Sequence, residues 1–138
     1  MSTPTQTATA RLRAYYAALR NGEPLSPFFA EDASIVKYGI TEKLCGYEEI
    51  EAGLREQTAS TEDWSVESHD LRVTASGEHA WFADDVRMAW TDTRRDRAFD
   101  FETRWSGTLE RRAPDDQAAQ WVFVGMHVSA IPDTDLAE

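Results

Sequence analysis

At 138 residues the chain has room for one domain, expected to span 1–138 with an ordered core at about 5–132, and none for a second core of ordinary size. Asp and Glu number 25 against 14 Lys and Arg, and the net charge of -11 makes nucleic acid and anionic membrane poor partners, because phosphate needs a cationic surface. No apolar run is long enough to cross a membrane, no basic-then-apolar leader opens the chain, and the single Cys45 excludes an internal disulfide, so a cytoplasmic protein is expected.

The first helix has a clear start. Thr3 is placed to N-cap, Pro4 suits the first helical position, and Gln6 completes a capping box. Its apolar stripe is Ala8, Leu12, Tyr15, Tyr16 and Leu19, the spacing of one helix face, and Asn21-Gly22 stops it. Ser26-Pro27 reads as a second cap on a short helical turn through Phe28 and Phe29. Ser34 to Tyr38 reads as a short strand and Gly39 to Gly46 as a loop. A further helix runs from about Tyr47 to about Gln57, with Tyr47, Ile50 and Leu54 on one side. Asp32 is most simply a turn residue before the short strand.

Four longer strands follow, near Trp64–Ala75, Glu78–Thr91, Arg97–Arg112 and Ala118–Ile131. Ser76-Gly77, Asp92 to Asp96 and Pro114 to Gln117 supply the turns, and strands joined this tightly pair antiparallel. Helices first and strands after is the pattern of an α+β domain.

Register decides which side chains meet. If the turn after the Glu78–Thr91 strand centres on Arg94, Asp84 faces Arg104, Val86 faces Glu102 and Phe82 faces Ser106. If the next turn centres on Asp116, Arg104 also lies beside Val128 and Ser106 beside Met126. The even face then carries Phe82, Asp84, Val86, Met88, Arg104, Ser106, Val124, Met126 and Val128. The odd face carries Trp81, Asp85, Arg87, Phe101, Thr103, Trp105, Trp121, Phe123, His127 and Ser129. Both faces hold large apolar residues, and the helices are too few to cover both. A second copy of the chain is therefore expected on one of them, making a homodimer through Phe101, Trp105, Trp121 and Phe123.

No glycine-rich phosphate loop, nucleophile elbow or zinc signature occurs, and no cofactor is expected. The histidines, His69, His79 and His127, lack ligand spacing, so no metal site is expected. Cys45 has no activating neighbour and reads as a buried bystander. Asp84, between Phe82 and Val86 on one face, is the candidate general base or acid if its carboxylate is desolvated. Paired with Arg104 it is instead a structural ion pair, the commoner fate of such charges. His127 is expected opposite Trp105 as a hydrogen-bonded packing residue. Of Tyr15 and Tyr16, one fills core and the other can point its hydroxyl into a cavity.

Several residues carry a resemblance. They are Asn21-Gly22, Gly46, Ala80-Trp81, Glu102-Thr103-Arg104, and the series Trp121, His127, Ser129, Pro132. With the element order, they resemble the nuclear transport factor 2-like superfamily, above all its SnoaL-like branch and the association (hub) domain of calcium/calmodulin-dependent protein kinase II. The resemblance implies a cone of curved, mainly antiparallel sheet wrapped around N-terminal helices, with an apolar pocket at its open end. It places Arg104 and the even face inside. Val86 and Val128 stand where the hub has further pocket arginines, and Gly125 where it has a histidine, which weighs against a small-carboxylate site. The expected function is binding of a small molecule, with Tyr16, Phe82, Arg104, Met126 and His127 as ligand-binding candidates. The alternative is an isomerase, cyclase or dehydratase in which Asp84 is the base, Arg104 stabilises developing negative charge and Tyr16 donates a hydrogen bond.

Overall fold

The computed structural model describes residues 2–113 and 118–132. The turn expected at Pro114 to Gln117 lies outside the described residues. Helix α1 spans Pro4–Arg20 and has the reciprocal capping box, with the Thr3 hydroxyl accepting from the Gln6 amide at 3.1 Å and the Gln6 side chain accepting from the Thr3 amide at 2.8 Å. Its whole apolar stripe is buried. Leu12, Tyr15, Tyr16 and Leu19 contribute about 1.5–3 kcal/mol each by leaving water, far more than helix propensity supplies over one face.

A one-turn 3-10 helix covers Ser26–Phe28, and Leu25 rather than Ser26 occupies its cap position with no side-chain bond. Strand β1 is Val36–Tyr38 and β2 is Lys43–Cys45. The second lies within the segment expected as loop. In pairing antiparallel with β1, β2 leaves Cys45 exposed rather than buried. Helix α2 runs Gly46–Ser60, longer than expected at both ends. The strand expected at Trp64–Ala75 is two strands, β3 Thr61–Ser68 and β4 Arg72–Ser76, which pair in tandem with the two halves of β5, His79–Asp92. Strands β6, Arg97–Arg112, and β7, Gln120–Ala130, complete an open seven-stranded sheet in the order β2-β1-β7-β6-β5-β3, with β4 also on β5. Among the described strands β1 and β7 pair in parallel, and an isolated parallel bridge joins Phe29 to Phe123. The sheet curls around α1 as the α+β cone expected from the sequence.

The register of β6 differs from expectation by one residue along its β5 edge and, on its β7 edge, from Thr103 to Thr108; from Leu109 to Arg112 the pairing with β7 is the expected one. Asp84 lies opposite Trp105, and Asp85 opposite Arg104. Arg104 lies beside Ser129, and Trp105 beside Val128. The cause at the first edge is a four-residue loop, 93–96. Asp92 Oδ1 accepts from the amides of Arg94 and Arg95 at 3.0 and 3.1 Å, and Asp96 closes the loop at φ 50. An even-length loop cannot centre on Arg94. One slip alone would mismatch neighbouring faces; the two together turn β6 over and leave β5 and β7 matched. A bulge between Thr108 and Leu109 then brings Phe123 opposite Leu109 and so onto the inner face.

The expected faces are corrected accordingly. Trp105, Trp121 and Phe123 point inward at 3%, 3% and 0% exposure, with Phe101 half-buried on the same side. The aromatic patch expected on the outside for a homodimer is therefore mostly core. The outer face carries Asp85, Arg87, Glu102, Arg104 and Ser106, with Trp81 half exposed among them. One face is apolar and one polar, as an antiparallel sheet packed on one side requires. No helix among the described residues is long and apolar enough to cross a membrane.

Candidate functional site

Two polar arrangements lie on the inner side of the sheet. The first centres on Asp84, 4% exposed on β5. Its Oδ2 accepts from the Tyr16 hydroxyl at 2.8 Å and from Ser68 Oγ at 2.6 Å, and its Oδ1 accepts from the Asp70 amide at 3.0 Å. Asp70 sits in the break between β3 and β4, where the His69 amide also bonds the Asp85 carbonyl at 2.9 Å. The carboxylate thus fastens α1 and the β3–β4 kink to the middle of β5. Burial, and then the bond to Asp84, push the Tyr16 phenol well above its ordinary pKa, so it remains a donor. The expected Asp84–Arg104 ion pair is absent because Arg104 faces outward; three neutral donors take its place.

The second is a cavity of ≈ 130 Å³ between α1, the 39–42 loop, α2 and the inner face of the sheet. Trp64, Trp90 and Trp105 wall it, and Met88, Met126 and Val128 line it further. Trp64 and Trp90 stack at 4.8 Å between centroids. The Trp105 indole N–H bonds Thr103 Oγ1 at 2.9 Å, and that hydroxyl donates to the Val86 carbonyl at 2.6 Å, which fixes the ring as a wall. An apolar void of about 150 Å³ takes one benzene molecule, so the space suits a single ring.

Besides Gln57, Thr41 and Thr61, three titratable groups line this cavity. Tyr15 lines it, and burial together with the charge of Glu42 raises its pKa. Lys37, 5% exposed on β1, lies in it with its ammonium 3.2 Å from Glu42 Oε1. Glu42 closes the loop at its mouth.

The structure distributes the expected site residues widely. Met126 lines the cavity. Tyr16 and Asp84 lie to one side of it, with Tyr16 edge-on to Trp105 at 5.3 Å. Phe82 is core, 5.8 Å from Phe123. Arg104 and His127 face outward in an open depression that Asp70, Asp84 and Ser129 also line, although Asp84 makes no ion pair with Arg104 there. His127 lies opposite Ser106 rather than Trp105 and packs on Tyr38 at 5.4 Å.

Sequence reasoning missed Lys37 and Glu42 as cavity groups, and of the two tyrosines it offered for the cavity it chose Tyr16 where Tyr15 lines it. A signal existed for Lys37: it alternates with Ile35, the residue just before β1, and both are buried. Tyr15 and Tyr16 were equivalent on the helix stripe. Nothing in the loop sequence marks Glu42.

Comparison with known proteins follows the same lines. A SnoaL-like domain family model matches residues 9–134. The chain matches no curated protein. Among solved structures, a nuclear transport factor 2-like superfamily protein from Salmonella enterica superposes with a TM-score of 0.80 at 14% identity, covering 97% of this chain and 95% of that one. A ketosteroid isomerase-like protein from Erwinia carotovora gives 0.76 at 15% identity, with 96% and 99% covered. A candidate calcium/calmodulin-dependent protein kinase II association domain from Xanthomonas campestris gives 0.74 at 20% identity, with 96% and 91% covered. At these identities the likeness is one of fold.

Proposed function

The chain belongs to the SnoaL-like domain family, and on that premise we propose that it binds a small, flat, mostly apolar molecule of about one ring in the cavity walled by Trp64, Trp90 and Trp105. The observation that carries this reading is the cavity itself: apolar, aromatic, partly enclosed, with a few polar groups at one end. The fold alone assigns no reaction. Acid–base catalysis through Asp84 has less support, because its carboxylate already accepts three hydrogen bonds and does not line the cavity.

Benzamide, a neutral single-ring probe, should bind the wild-type protein and quench tryptophan fluorescence. Val128→Phe, which fills the cavity, should weaken it roughly tenfold or more, a loss of about 1.4 kcal/mol. Equal binding by the two proteins would place the ligand elsewhere.

Homodimerisation through the outer sheet face belongs to the same proposal on a narrower footing, since Trp81, 50% exposed, is the most exposed large apolar side chain there, with Tyr38 beside His127 the next. Sedimentation should show a dimer at micromolar concentration and a monomer for Trp81→Glu. A wild-type monomer would end that part of the reading.

A further inference from the structure

The cavity holds an ammonium whose counter-ion comes from outside. Lys37 lies on β1, opposite Leu44 of β2 and Met126 of β7, with a side chain 6% exposed. An ammonium has three donors. Among the described residues this one makes a single side-chain bond, to Glu42 Oε1, at 3.2 Å, longer than the 2.7–2.9 Å of a good charge-assisted pair. Glu42 is 37% exposed and belongs to a reverse turn in which the Gly39 amide bonds the Glu42 carbonyl at 3.0 Å. Its side chain reaches inward by folding across Gly39. A Cβ at position 39 would lie 2.9 Å from both Glu42 Cγ and Oε1. Tyr15, 2% exposed, also lines the cavity, and its hydroxyl has no protein partner among the described residues.

This end of the cavity therefore offers donors from Lys37 and Tyr15, and its one carboxylate is a loop side chain that water can take back. The apolar remainder has room for about one ring. Resting on the binding reading above, we propose that Glu42 is a displaceable stand-in for a ligand's acid group. The cavity selects a single-ring aromatic acid, whose carboxylate exchanges with that of Glu42 on Lys37 and accepts from Tyr15 while the ring lies among the tryptophans. The cation comes from β1, a different strand from the positions held by Val86 and Val128.

Benzoate and benzamide, near-isosteres differing in charge, test the exchange by calorimetry on four proteins: wild type, Lys37→Met, Glu42→Gln and Gly39→Ala. Glu42→Gln weakens the competitor. Gly39→Ala keeps every charge, needs no unusual backbone conformation and pushes the Glu42 side chain away. Both should tighten benzoate roughly tenfold, the scale of one hydrogen bond to a charged group, and leave benzamide within about twofold. Lys37→Met should lose benzoate by roughly tenfold or more and retain benzamide. Benzamide bound throughout, with benzoate insensitive to all three substitutions or weakened by Glu42→Gln and Gly39→Ala, would overturn the exchange and leave the binding reading intact. Failure of all four proteins to bind either probe would overturn both.

Discussion

Asp84→Ala should lower stability by about 3–5 kcal/mol, whereas Arg104→Met should change it by no more than about 0.5 kcal/mol. Asp84 is the acceptor for Tyr16, Ser68 and the Asp70 amide. Bonds to a charged group are worth about 1.5–3 kcal/mol each, and a buried donor left without an acceptor loses its desolvation cost as well. The sum is not reached, because Ser68 is only half-buried and Asp70 is exposed, so both can turn to water. Tyr16 is 1% exposed and cannot. For a chain of this size the loss corresponds to roughly 10–20 °C in melting temperature. Tyr16→Phe removes one donor of three and should cost about 1–3 kcal/mol. Arg104 is exposed on the outer face, and an exposed side chain away from caps, pairs and core changes little on removal. Urea titration of the three variants measures these differences. A loss under about 1 kcal/mol for Asp84→Ala would show that the cluster is not a fastening point.

Gly107→Ala should be nearly as damaging, although it adds one methyl group. Gly107 lies on β6 opposite Phe82 of β5 and Met126 of β7, next to the Thr108/Leu109 bulge. A Cβ there would stand 2.4 Å from the Gly125 carbonyl oxygen, 2.8 Å from Phe82 Cε1 and 3.2 Å from Met126 Cα. Two of these are backbone atoms, so no side-chain rotation relieves the overlap. Overpacking a core costs about 1–3 kcal/mol where side chains can adjust; here β6 and β7 must separate, and about 3 kcal/mol or more is expected. Gly107→Val should fail to give a folded, soluble product. Gly125→Ala is the control, since nothing stands within 4 Å of a Cβ at that position. Thermal melts of Gly107→Ala and Gly125→Ala that coincide would refute the steric account.

Much of the fold was legible because local chemistry specifies it. Thr3, Pro4 and Gln6 start α1, its stripe identifies the buried face, and short connections in sequence make neighbours of β5, β6 and β7. The split of the expected long strand into β3 and β4 was not legible. Its break is stabilised by the Asp84 carboxylate, a partner 14 residues along the chain from Asp70. Strand β2 escaped notice for the same reason: three residues pair only because β1 lies beside them.

The site divides in the same way. Alternation along one strand is a local property, so the sequence alone determined that Phe82, Asp84, Val86 and Met88 share a face, and that Met126 and Val128 do. Which face of β6 joins them depends on the parity of a turn. Two hydrogen bonds accepted by Asp92 and one left-handed residue, Asp96, set the 93–96 loop at an even length and moved Trp105 inward and Arg104 outward. Tertiary structure alone also brought Lys37 from β1, Glu42 from a loop and Tyr15 from α1 into one cavity. No spacing encodes that meeting, because each residue comes from a different element and the curvature of the sheet decides what they enclose.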